Sequence, residues 1–408
     1  MTFRAPKGTD DILPPASRAW RRLLLTWEDW AARYGYDLVL TPLFEATEVF
    51  ARGVGEGTEV VQKQMYTFTD GGGRSLTLRP EGTAPVVRAF LEAGAHGIMK
   101  LAYSGPMFRY ERPQAGRRRQ FYQVGVEYLG SREAAADAEV IELGYRFLTE
   151  AGMSDLSVQL NSIGDRECRP AYLDVLKAYL DRHREVLCED SLLRLETNPM
   201  RVLDCKVCAP KLSDAPSPVE HLCAACAAHF DEVRAILGEL GVPFEEAPHL
   251  VRGLDYYERT AFEYVATDLE AAQNAVGGGG RYDGLAELLG GKPVPGVGFA
   301  LGLDRLMLTL GDVEEPHPLD LYLVVAGERR REALRFTSEL RRLGIRADLD
   351  LEDRSVKAQF RAANRRGASG VLVVGDEWTE GRVVAKDLTT GRQEVIDVGE
   401  VAAWTRRR

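Results

Sequence analysis

The stretch FRYERPQAGRRRQFYQVGVEYLG, residues 108–130, sets five arginines between Arg109 and Arg119 against the single carboxylate of Glu111. Two aromatic-rich runs flanking a Pro-, Gly- and Arg-containing middle read as a long β-hairpin. Along QFYQVGVEY, alternation sends Tyr122, Val124, Val126 and Tyr128 to one face, a core face, and Phe121, Gln123, Gly125 and Glu127 to the other. Arg109 and Glu111 share a parity on the preceding strand, so the hairpin can lay Arg109, Gln123 and Glu127 across one open face. Gly125, lacking a Cβ, is expected to leave room there for a ligand. A carboxylate and an amide beside an arginine suit a zwitterion carrying a phosphate. The loop 112–119, with Arg112, Arg117, Arg118 and Arg119, would hang over that pocket and hold a polyanion. The plainer alternative is a solvated arginine turn.

The chain has 408 residues, room for two or three domains with full cores. No stretch approaches the roughly 20 uninterrupted apolar residues of a membrane span, and the N-terminal MTFRAPKGTDDILPP has no apolar run of a signal peptide. A cytoplasmic protein with no membrane contact is expected. Net charge is −10, unevenly spread: residues 318–408 carry 18 Lys+Arg against 15 Asp+Glu, the first 317 residues 34 against 47. A mildly basic C-terminal part beside an acidic body fits a nucleic-acid contact there, or simply a solvated surface.

Residues 17–34 read as an amphipathic helix capped by Ser17, followed by the short strand YDLVLTP. MYTFTD and SLTLRP read as strands about a GGGR turn, TAPVVRAFLEAG as a helix. Residues 132–152, 169–187 and 227–241 have helical periodicity, whereas 197–226 has little. Strands are expected at 250–267 and a helix at about 268–275, then GGGGRYDG, a helix to Leu289 and a last helix within VPGVGFALGLDRLMLTL. From HPLDLYLVV onward, strand and helix alternate as in a compact α/β unit, with Pro316-His317-Pro318 as linker. There is no GxxxxGK[ST] phosphate loop and no HExxH, and the GxG pieces at 53–57 and 296–298 lack a strand–GxGxxG–helix context.

Taken together, these stretches resemble the histidyl-tRNA synthetases, class II aminoacyl-tRNA synthetases, over essentially the whole chain. The segment of about 17–42 resembles motif 1, about 105–129 motif 2, and about 295–310, with PGVGFALGLDRL, motif 3. LVRGLDYYERTAFE (250–263) and GGGGRYDGL (277–285) resemble the two signatures of the histidine-specific members, and KGTDDILPP and LRPEGTA agree. The resemblance implies an α+β fold: a catalytic core over 1–317 built on an antiparallel sheet flanked by helices, with an inserted module at about 168–242. An α/β anticodon-binding domain would follow over 318–408. It implies a homodimer that activates L-histidine with ATP and Mg2+, then charges the 3′ end of tRNA(His).

By the same resemblance, Glu81, Thr83 and Gln123 would receive the histidine α-amino group, and Glu127 with Tyr256 and Tyr257 would read the imidazole. The bland reading of the two tyrosines is core packing. Arg109 would hold the α-phosphate and Arg252 the carboxylate–phosphate junction. Arg305 would take the γ-phosphate, Glu111 the adenine or metal side, and Arg112 and Gln114 the tRNA acceptor end. Tyr110 and Asp10 depart from the family pattern, which usually has His and Arg there. The main rival is a non-catalytic relative, a histidine-sensing regulatory subunit of ATP phosphoribosyltransferase, which needs no tRNA contacts. A class II synthetase for another amino acid is opposed by RGLDYY and Glu127. Basic residues Arg354, Lys357, Arg361, Arg365 and Arg366 cluster about one C-terminal helix.

Cys205-x-x-Cys208 and Cys223-x-x-Cys226 have the spacing of one structural, tetrahedral Zn2+ site, with His221 and His229 as substitute ligands. Four reduced thiols are the alternative.

Overall fold

Alternating side chains on the 99–129 hairpin need a covered face, and three long helices supply it. The computed structural model describes residues 3–55, 58–114, 116–266, 275–310 and 319–407. The chain forms two compact units, Met1–Asp312 and Val313–Arg408. The expected helix at about 268–275 falls almost wholly outside the described residues, as do the 316–318 linker and the 317/318 boundary. No helix among the described residues is long and apolar enough to cross a membrane.

The first unit is built on an eight-stranded sheet. Its order is Asp37–Leu38, Met99–Phe108, Gln120–Leu129, Gly296–Gly302, Ala275–Arg281, Glu258–Ala266, Leu156–Ser162 and Phe244–Glu246. Pairing is antiparallel throughout except at the two edges, where Asp37–Leu38 and Phe244–Glu246 run parallel to their neighbours. The hairpin pairs Phe108 with Gln120 through to Met99 with Leu129. Helices Ala16–Arg33, Ala134–Ala151 and Ala224–Glu239 cover one face. There Leu23, Trp27, Ile141, Phe147, Val233 and Leu237 pack on Val124, Val126, Leu160, Phe262 and Phe299.

The first helix begins at Ala16 after Pro15 and has no side-chain cap, so Ser17 lies within its first turn. Ala275–Arg281 is a central strand despite its four glycines, a placement the sequence reading did not make. Glycine has poor strand propensity, and here the neighbours on both sides impose the conformation. The stretch 250–257 is irregular, and the strand starts at Glu258.

Beyond the other face, the segment 169–221 folds as helices Arg169–Arg182 and Glu189–Thr197 joined by short 3-10 turns, and the chain then returns to the first face in Ala224–Glu239. Its own core of Tyr172, Leu176, Leu180, Leu195 and Val202 is continuous with Tyr256, Tyr257 and Tyr282. The second unit has a five-stranded sheet in the order Ala347–Leu349, Leu319–Val325, Ala368–Val374, Arg382–Asp387, Gln393–Asp397. The first three strands are parallel, and helices Arg330–Arg342 and Val356–Arg365 supply the crossovers.

Candidate active site

The open face of the hairpin carries a cavity of about 280 Å3. Its lining includes Glu81, Thr83, Arg109, Glu111, Gln123, Arg252, Tyr256, Tyr257 and Arg305, so nine of the expected residues meet there. Val124 and Val126 face the opposite, helix-covered side, as the alternation requires.

Each side chain has a local reason for its position. Arg109 follows the strand end, its Nε donates to Pro80 O at 2.9 Å, and its guanidinium lies 5.2 Å from the Phe121 ring. Glu81 precedes the helix Thr83–Glu92 and caps it, accepting from Thr83 N at 2.7 Å and Ala84 N at 2.9 Å. Its carboxylate thus sits at the positive helix end. Arg252 ion-pairs with Glu263, a cavity residue that sequence reading missed. Arg305 donates to Ala275 O. Among the described residues, Gln123 Oε1 and Arg252 Nε are buried with no hydrogen-bond partner. Orphaned polar atoms in a cleft are costly unless a ligand completes them.

Glu127 is fully buried below the cavity. Thr83 Oγ1 donates to its Oε1 at 2.6 Å, and Tyr282 OH donates to its Oε2. Burial pushes its carboxyl up to about 8, against the opposing pull of these two hydrogen bonds. Tyr282 was not singled out from sequence, although it lies in GGGGRYDGL. Its neighbour Arg281 is buried and structural, paired with Asp137 and Asp283. Tyr256 and Tyr257 stand 4.6 Å apart between ring centroids, part of the cavity wall and of the core behind it.

The space beside Gly125 corrects the ligand-room expectation. A Cβ there would lie 2.4 Å from the Tyr103 hydroxyl and 2.5 Å from Phe299 O, so the glycine accommodates its cross-strand tyrosine. Room for a polar group is made instead at Gly298, where a Cβ would stand 2.0 Å from Glu127 Oε2.

Arg112 and Gln114 are exposed and do not line the cavity; Gln114 and Pro113 line an adjoining groove, and Arg117 and Arg118 line both. Arg118 and Asp10 pair at 2.8 Å, and Arg119 lies 3.9 Å over Tyr110, so both departures from the family pattern have partners in the arginine loop.

The two CxxC pairs do not converge, which corrects the single four-cysteine zinc site. Cys205 and Cys208 group with Cys188, whereas Cys223 and Cys226 group with Asp165 and Cys168. Spacing alone could not reveal this, because each pair finds its partners through the tertiary fold. The proposed substitutes are elsewhere: His229 stands 3.2 Å from Asp137, and His221 packs near Tyr172.

The family profile for histidyl-tRNA synthetase matches residues 8–306, and the anticodon binding domain profile matches 320–408. A histidine–tRNA ligase of Halothermothrix orenii is 50% identical over 97% of each chain. The crystal structure of apo S. aureus histidyl-tRNA synthetase superposes with a TM-score of 0.82 at 37% identity, covering 99% of this chain and 100% of that one. An ATP phosphoribosyltransferase regulatory subunit/histidyl-tRNA synthetase from Bacillus halodurans C shares the fold at 24% identity and a TM-score of 0.66, over 91% and 98%. This chain belongs to the histidyl-tRNA synthetase family.

Proposed function

We propose that the chain is a histidine–tRNA ligase, acting as a homodimer in the cytoplasm on L-histidine, Mg2+-bound ATP and tRNA(His). The observation that carries this reading is the convergence of Arg109, Arg252 and Arg305 with Glu81, Thr83 and Gln123 in one cavity above buried Glu127. Three guanidiniums fit a polyphosphate, and the acceptors fit an ammonium.

In the first step a histidine carboxylate oxygen attacks the ATP α-phosphorus, the bond to the bridging oxygen breaks, and pyrophosphate leaves. A carboxylate is already ionised at neutral pH, so no base is required, and positioning and charge stabilisation do the work. Arg109 and Arg252 would approach the α-phosphoryl oxygens from two sides. The Arg252–Glu263 pair holds that guanidinium oriented until substrate arrives. Arg305 would take the γ-phosphate, and Glu111 offers oxygen ligands of the kind Mg2+ prefers.

Glu81 and Gln123 Oε1 would accept the α-ammonium. Glu127, aligned by Thr83 and Tyr282, would share a proton with the imidazole while Tyr256 and Tyr257 frame the ring. Side chains without ring nitrogens would leave that buried carboxyl unmatched, which is how such a site rejects them. In the second step a ribose hydroxyl of the tRNA end attacks the histidyl carbonyl and AMP leaves; an adenylate phosphate oxygen can take the proton. Exposed Arg112 and Gln114 would meet that end of the tRNA.

The regulatory reading is less supported, because five arginines, Arg109, Arg117, Arg118, Arg252 and Arg305, line the cavity and the anticodon binding profile covers the C-terminal unit. The dimer proposal rests on motif 1, where Leu25, Leu38 and Leu40 are exposed. Incorporation of labelled histidine into tRNA(His) with ATP tests the function, and its failure with an active tRNA preparation would overturn it.

A further inference from the structure

We propose that Asp165, Cys168, Cys223 and Cys226 form a zinc site that staples the two ends of the inserted module and holds the wall of the candidate active site. One ligand atom from each lies within 4.8 Å of every other. Tetrahedral zinc, with Zn–S bonds of about 2.3 Å, would set sulfurs about 3.8 Å apart, so little movement is needed. Cys226 Sγ is 3.0 Å from Asp165 Oδ2, and Cys168 Sγ is 3.5 Å from Asp165 Oδ1.

Two similar turns bring the ligands together. Asp165-x-x-Cys168 leads into the helix Arg169–Arg182, with Arg169 N donating to Asp165 O at 2.9 Å. Cys223-x-x-Cys226 opens the helix Ala224–Glu239, with Ala227 N donating to Cys223 O at 2.9 Å. Both helix N-termini therefore point their positive ends at the cluster.

A supporting shell is already built. Arg259 Nη2 donates to Asp165 Oδ2 at 3.2 Å, and Glu167 N donates to Oδ1 at 3.0 Å. Ligating carboxylates are held by partners of this kind. Cys168 and Cys226 are buried, while Asp165 and Cys223 are half-buried and give the ion a way in. The second group, Cys188, Cys205 and Cys208, has three thiols, and Ser191 Oγ lies 3.3 Å from Cys188 Sγ. A hydroxyl completes a zinc site poorly, so that group is not part of the proposal.

The cluster is wired to the cavity. Arg169 Nη2 donates to Tyr257 O at 2.7 Å, and Arg259 N donates to Gly164 O at 2.7 Å. Arg259 is held at a φ of 54° by these contacts, a conformation a side-chain-bearing residue keeps only when its surroundings impose it. The zinc site thereby fixes the loop that presents Tyr256 and Tyr257.

The test is metal analysis of the full-length protein by mass spectrometry, with cobalt(II) substitution followed in visible light. One zinc per chain is expected, and cobalt should give tetrahedral ligand-field bands with thiolate charge transfer. Cys226→Ser should lose the ion and Cys205→Ser should keep it. Asp165→Cys should keep it with stronger thiolate charge transfer, which separates loss of a ligand from loss of the fold. No retained metal and no tetrahedral cobalt spectrum in the unaltered chain would overturn the proposal. So would metal that survives Cys226→Ser yet is lost in Cys205→Ser.

Discussion

At the residue scale, the proposed selection of histidine turns on a single buried carboxyl. Glu127 holds its proton up to about pH 8 because burial disfavours the charged form. The folded chain therefore binds more protons than the unfolded chain between about 4.5 and 8. The contribution of Glu127 is fully present below that window and is lost as pH rises through it. Glu127→Gln should flatten this decline, seen as a smaller fall in Tm between pH 5 and 8.5. The same substitution should cut histidine-dependent pyrophosphate exchange by at least roughly 10²-fold. A variant with full exchange would refute the imidazole assignment. The face that presents Gln123 and Glu127 was legible from alternation alone. Tyr282 was not, because its contact with Glu127 spans 155 residues, and no local pattern encodes which distant hydroxyl reaches a buried acid.

At the element scale, close packing of strands shapes the pocket. Gly298 on Gly296–Gly302 pairs directly with Glu127 on Gln120–Leu129. Gly298→Ala would drive a methyl against the Glu127 carboxyl and Val126 O, which stand 2.0 and 2.4 Å from the added carbon. We expect a loss of roughly 1–3 kcal/mol in urea unfolding and weaker histidine binding by calorimetry. An unperturbed variant would mean that the strand spacing does not define the site. The central glycine strand Ala275–Arg281 was illegible as a strand, since glycine carries no side-chain signal and takes its conformation from its partners. The cysteine groups were half legible. The CxxC turns announced themselves, but Asp165, Cys168 and Cys188 joined them only in three dimensions.

At the scale of the whole molecule, the cavity lies in the first unit and the anticodon binding domain profile matches the second. On the helix Val356–Arg365, Lys357, Arg361 and Arg365 stand exposed at four-residue spacing and so share a face. Arg354 and Arg366, grouped with them in the sequence, instead pair with Asp350 and Asp348 at 2.7 and 2.6 Å. Changing Lys357, Arg361 and Arg365 together to Glu should raise the KM for tRNA at least about tenfold and make its salt dependence shallower. Pyrophosphate exchange, which needs no tRNA, should be unchanged; a parallel loss of both would contradict the division of labour. The strand–helix alternation of this unit was readable because both periods are strong there, whereas its nucleic-acid face needed the ion pairs to be seen. The most direct test of the whole account is amino-acid-dependent ATP–pyrophosphate exchange run over all twenty amino acids. Exchange with histidine alone is expected, and histidine binding without exchange would overturn the ligase reading and favour a sensing role.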